Sequence, residues 1–78
     1  MWETIVVAAR ENRVVKIDYQ KKTTGEIKTY WIEPYSQRGE YLFGHDRLEG
    51  HIKKFSIGNI INAEPTDEKF SPRWPVEL

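Results

Sequence analysis

Apolar residues at Trp2, Ile5, Val6 and Ala9 recur at helical spacing, while Glu3, Arg10 and Glu11 fall between them on the side that meets water. The spacing predicts a short amphipathic helix from Trp2 to about Glu11, closed by Asn12, a residue that tolerates the left-handed conformation. The period then changes from 3.6 to two. Val15, Ile17 and Tyr19 alternate with polar neighbours and predict a first strand over 14–19. Polar 20–25 reads as a turn, and the β-branched and aromatic run 26–32 as a second strand. Pro34, which cannot donate to a ladder, is expected to end it.

Ser36–Gly39 predicts another turn, and residues 40–45 a third strand. If Asp46–Gly50 is the loop that follows, the hairpin pairs Tyr41 with Phe55, Phe43 with Lys53 and His45 with His51. Ile57, Ile60 and Ile61 carry the chain, through one helical turn near Gly58-Asn59, into a short last strand ending near Pro65. The remaining residues read as an extension. One helix and five strands in so short a chain predict a mainly β fold built as a small, partly open barrel, since so few strands cannot form two covered sheets. The barrel domain is expected over 1–70, with 71–78 an extension or linker.

Composition narrows what such a fold has to work with. A chain of 78 residues buries roughly 60% of its unfolded surface, so the core must be compact, and ten aromatic residues make that feasible. Without cysteine, neither a disulfide framework nor a thiolate metal site is available. No apolar run approaches membrane-spanning length, and acidic Glu3 stands where a signal peptide is basic, so a cytoplasmic protein without membrane partner is expected.

The net charge is zero, which argues against a strongly basic, non-specific nucleic-acid binder. The charge is unevenly spread: residues 13–54 carry nine Lys/Arg against six Asp/Glu, and residues 61–78 two against four. Within that basic centre, the third and fourth strands bring aromatic and cationic side chains into one hairpin. Such a hairpin suits an anionic ligand with flat parts, because cations neutralise the charge and ring faces accept stacking. The candidate ligand residues are Tyr41, His45, Lys53, Arg38 and Lys54, and Arg47 beside the hairpin could join the cations in an anion patch. Tyr41 is either a stacking platform or a core tyrosine with a satisfied hydroxyl. His45 and His51 with Asp46 supply too few fixed ligands for a tight metal site. One of Tyr30 and Trp31 must face outward. Trp74, between Pro72 and Pro75, either tucks against the sheet or marks the attachment of a further domain.

Catalysis finds little support. Ser56 is the only serine on the hairpin and has no orienting triad, nothing in the spacing brings Glu33 and Glu40 together, and no Gly-rich phosphate loop is present. No enzyme activity and no cofactor are expected.

The ordered set Ile5-Val6-x-Ala8-Ala9, Val15-Lys16-Ile17-Asp18-Tyr19, Gly25, Ile32-Glu33-Pro34-Tyr35, Gly39-Glu40-Tyr41-Leu42 and Lys53-x-Phe55-x-Ile57-x-x-Ile60 resembles the WYL domain of bacterial transcriptional regulators. The likeness covers residues 2 to about 70. The namesake tripeptide stands as Glu40-Tyr41-Leu42, with glutamate in place of tryptophan. The resemblance implies an SH3-like or Sm-like barrel that senses nucleic-acid fragments or nucleotide-like molecules and thereby controls a regulator, whose DNA is held by another domain or chain. It places Tyr41 and Lys53 on the ligand face. Two later positions, typically arginine in the family, are Ser56 and Asn59 here, which removes bidentate phosphate contacts. The competing expectation is a protein-interaction or homo-oligomerisation barrel that uses open strand edges.

Overall fold

The computed structural model describes residues 1–78. Helix α1 (Trp2–Arg10) starts from the Met1 carbonyl, which accepts from the Thr4 and Ile5 amides, and carries Glu3 in its first turn and Arg10 in its last, as the helix dipole favours. Asn12 adopts φ +56°, and the chain turns into β1 (Arg13–Gln20). Strands β2 (Ile27–Arg38), β3 (Tyr41–Asp46), β4 (Ile52–Ser56) and β5 (Ile60–Lys69) follow, with a 3-10 turn at Ile57–Asn59.

The fold is mainly β with one N-terminal helix, as expected, and its five antiparallel strands form one sheet in the order β4-β3-β2-β1-β5. The sheet does not close into a barrel. β4 and β5 are consecutive in the chain yet share no ladder; β5 pairs with β1, while side chains tie β4 and the 3-10 turn to β1: the Ser56 amide donates to the Tyr19 hydroxyl, and Asn59 Nδ2 to the Gln20 carbonyl. Helix α1 packs across β1, β2 and β5. Ile5 and Ala8 there meet Val15, Ile17, Ile32, Leu42, Phe55 and Ile60 in the main core, where Tyr19, Tyr30 and Phe55 pack edge to face. Each fully buried aliphatic side chain contributes about 1.5–3 kcal/mol.

Three strand expectations are corrected. Pro34 does not end β2, which runs on to Arg38: Pro34 stands opposite Gly44 and Ser36 opposite Phe43, so Tyr35 is the extra residue of a bulge, a place where a ladder tolerates proline. β5 is long rather than short and passes through Pro65, which an edge strand allows because one side of its backbone needs no partner. The third correction is the β3–β4 register, which is shifted by one residue. Asp46 stays in the ladder, its amide donating to the His51 carbonyl at 2.9 Å, and its Oδ1 accepts from the Leu48 and Glu49 amides. The turn therefore shrinks to Arg47–Gly50, with Gly50 at φ +78°. The partners become Tyr41 with Ser56, Leu42 with Phe55, Phe43 with Lys54, Gly44 with Lys53 and His45 with Ile52.

The C-terminal segment folds back over the other face of the sheet from Phe70 to Glu77, and Leu78 ends against the main core. The Phe70 amide donates to the Asn12 carbonyl and the Glu77 amide to the Tyr35 carbonyl. A second small core forms there from Val14, Tyr35 and Phe70, with Trp31 and Val76 against it. Tyr30 thus faces the main core and Trp31 the outer one, and Trp74 tucks against the sheet. No helix is long and apolar enough to cross a membrane.

Candidate functional site

Alternation along β3 sends Leu42, Gly44 and Asp46 to the inner face and Tyr41, Phe43 and His45 to the outer one. Gly44 leaves no free room for a side chain on the inner face. A Cβ there would lie 3.0 Å from Ile32 Cδ1 and 3.1 Å from the Glu33 carbonyl oxygen. The register assigns Lys53 to the inner side of the hairpin and Lys54 to the outer side, and their surroundings differ accordingly.

Lys53 is consumed by structure. Its Nζ is 2.9 Å from Asp46 Oδ2 and 2.8 Å from Glu49 Oε1, and it lies 5.0 Å from the centre of the Tyr30 ring. Burial works against both charges, but the Lys53 ammonium and the turn amides hold the Asp46 pKa below its ordinary value. Likewise, burial is outweighed by Glu49 and Asp46, which hold the Lys53 pKa up.

Lys54 has no carboxylate partner. Its Nζ lies 4.4 Å from the centre of the Tyr41 ring, and Lys22 Nζ from the β1–β2 turn stands 6.0 Å away. Arg38 is the direct cross-strand partner of Tyr41. None of Lys22, Arg38 and Lys54 is within ion-pair distance of an acidic group, whereas Lys53, Arg47 and Arg73 each are. Beside this cationic cluster, Phe43 and Ile52 form one wall of a groove of about 380 Å³, and Trp74 and Pro75 the other.

At the far end of the outer face lies a carboxylate that is fully buried, Glu33. Tyr35 donates its hydroxyl proton to Glu33 Oε1 at 2.6 Å, Arg47 Nη1 donates to Oε2 at 2.7 Å, and Arg73 Nε donates to Oε1 at 3.1 Å. Arg47 also reaches Glu68 on β5. Burial by itself would raise the Glu33 pKa, but the bonds from Tyr35, Arg73 and Arg47 prevail and hold it below its ordinary value. Burial, with the carboxylate beside it, pushes the Tyr35 hydroxyl up to about 12. The Tyr35 oxygen accepts from the Arg73 amide at 3.0 Å, so the same cluster anchors the C-terminal segment. His45 is enclosed here, with Trp74 tilted over it at 5.9 Å and its Nδ1 3.7 Å from Glu33 Oε2 without a hydrogen-bond partner.

Of the five residues the sequence singles out, the structure brings Tyr41, Arg38 and Lys54 together. Lys53 is on the opposite side of the hairpin, and His45 is on the same side as Tyr41 but four residues along the strand and covered by the tail. His45 does not face His51, which is exposed beside the turn, and no three His, Asp or Glu side chains converge as metal ligands. Ser56 is directly across from Tyr41, and Asn59 is engaged with Gln20. Sequence reasoning misses Lys22 and the Glu33–Tyr35–Arg47–Arg73 cluster. The signal for the latter is a glutamate set between apolar residues in the middle of a strand, Ile32-Glu33-Pro34-Tyr35, where a charge is not expected without a partner.

Comparison with known proteins agrees with this architecture. The description of the WYL domain family matches residues 1–65. Among solved structures, the chain is similar to proteasome accessory factor B/C (PafBC) of Arthrobacter aurescens, with a TM-score of 0.79 and 24% identity. That likeness covers 92% of this chain and 12% of PafBC, and at such identity it speaks for the fold. No curated protein matches the chain.

Proposed function

The chain belongs to the WYL domain family, and from that premise we propose that it is a non-enzymatic regulatory domain that senses a nucleic-acid fragment or a nucleotide-like anion. Its binding surface is the outer face of the β3–β4 hairpin. Tyr41 offers a ring for stacking, and Arg38, Lys54 and Lys22 neutralise phosphate. The observation that carries this reading is the set of cations around Tyr41 that have no acidic partner, in a molecule whose Lys53, Arg47 and Arg73 are all paired with carboxylates. Lys53 and His45 act as supports, the first by fixing the turn and the second by seating the tail. With no helix-turn-helix among its elements, this unit needs a DNA-binding domain or chain to act on a promoter.

The test is fluorescence polarisation of labelled short single-stranded DNA and RNA at two salt concentrations. Binding is expected to weaken with salt, with a slope of roughly −0.7 per phosphate contact, to be weakened in Tyr41→Ala, and to lose part of its salt slope in Lys54→Ala. No binding at high micromolar protein overturns the oligonucleotide reading. A second reading, pairing of the sheet edges with another copy or chain, is favoured by exposed Ile52 on β4 and Ile61 on β5. A concentration-dependent mass without salt-sensitive ligand binding is its signature.

A further inference from the structure

The groove between the hairpin and the C-terminal segment has apolar walls and polar ends. Its volume, about 380 Å³, is within the range of sites for small organic ligands. Trp74 forms one wall. It is held edge-on by Tyr35 at 5.2 Å and 86°, and is fixed through Arg73 and the buried Glu33, yet 46% of it remains exposed. Ile52 on the opposite wall is 41% exposed. Two large apolar side chains left partly uncovered on the two walls of this groove can take a flat ring between them.

The charges along the rim say what that ring carries. Arg38 lines the groove and stands beside Tyr41, on whose ring Lys54 and Lys22 converge. Glu77 lines it as well, its backbone bonded to Tyr35, three residues back along β2 from Arg38. One rim attracts an anion and the other repels it. The occupant therefore has its charge at one end.

We propose that this groove is a ring subsite for an aromatic monoanion or dianion of single-nucleotide size, with the ring between Trp74 and Ile52–Phe43 and the phosphate toward Arg38. The inference rests on the ligand-sensing reading of the outer face and deepens it. It makes Trp74 of the C-terminal segment a ligand contact, and it gives a lone nucleotide, or the end of a strand, preference over the middle of a polymer.

The experiment is calorimetric titration of the full chain with adenosine 5′-monophosphate, adenosine and ribose 5-phosphate, run beside the oligonucleotide polarisation assay. The variant Ile52→Trp fills the groove from an exposed edge position without changing charge or replacing a residue of the tail. Adenosine 5′-monophosphate is expected to bind, to displace the labelled oligonucleotide and to bind about tenfold or more tightly than ribose 5-phosphate. Ile52→Trp is expected to abolish this binding with an unchanged melting temperature. Trp74→Ala is expected to weaken it about tenfold, with recovery in Trp74→Phe to separate stacking from loosening of the tail. Oligonucleotide binding that persists while the mononucleotide fails to bind, binds no better than ribose 5-phosphate or adenosine, or ignores Ile52→Trp overturns the subsite and leaves the outer-face reading standing. Absence of both oligonucleotide and mononucleotide binding overturns both.

Discussion

Two clusters of cations and rings share the outer face, and they solve opposite problems. Around Glu33, two arginines, a tyrosine hydroxyl and a histidine ring enclose one carboxylate away from water. Around Tyr41, two lysines stand over a half-buried ring and Arg38 pairs across the strand, none of the three within ion-pair distance of a carboxylate. In the first, charge is neutralised within the chain and holds the C-terminal segment in place. In the second it is left without an acidic partner. The difference shows that counting basic residues says little about binding. What matters is which of them remain without an acidic partner after folding.

The sharpest way to break this contrast is Glu33→Ala. It strands the Arg47 and Arg73 guanidiniums and the Tyr35 hydroxyl, and loss of one partner in a buried cluster costs about 3–5 kcal/mol, with the low end expected because Arg73 is half exposed. Thermal denaturation should then shift down by roughly 12 °C or more, and hydrogen exchange should show residues 70–78 released.

The pH dependence of stability probes the same region. The Glu33 and Asp46 pKa values are depressed in the folded state, so their stabilisation is fully present above the ordinary carboxylate values and is lost as pH falls through the lower folded ones. Tyr35 and Lys53 are raised, so their contributions are full below the ordinary values of 10.0 and 10.5 and are lost as pH rises further, Tyr35's by about 12. Melting temperature against pH should therefore fall at both extremes, and the Glu33→Ala variant should flatten the acid limb most, the alkaline one only in part, since burial as well as Glu33 raises Tyr35.

Gly44→Ala tests the inner side. The new methyl group meets Ile32 and the Glu33 carbonyl and should cost about 1–3 kcal/mol, read by denaturant titration. Tyr41→Ala should do the reverse of Glu33→Ala, weakening oligonucleotide binding by about 1–3 kcal/mol while leaving residues 70–78 protected. The smallest effect is expected from Lys54→Ala, with stability changed by less than about 0.5 kcal/mol and a salt slope shallower by about 0.7. In Lys53→Ala the turn should loosen, with little change in that slope.

Much of the fold is legible in the sequence. The shift from helical to twofold spacing at Asn12, the strand segments and the aromatic core follow from side-chain periodicity, which depends only on near neighbours. Tyr41, Arg38 and Lys54 were also readable as candidates, because two of them stand on the hairpin and the third beside it. Continuation of β2 through Pro34 was not, since a bulge is needed to accommodate the proline and its place depends on the partner strand.

What the chain itself determined is therefore the kind and order of its elements and the presence of a basic, aromatic hairpin. Tertiary structure decided which lysine joins Tyr41, because a register shift of one residue, set by retention of Asp46 in the ladder, exchanges the faces of β4 and replaces Lys53 with Lys54. It also decided that Arg73 neutralises Glu33, a contact across 40 residues of chain. Periodicity carries no information about such a pairing. Burial, which makes an unpartnered carboxylate costly, is what selects it.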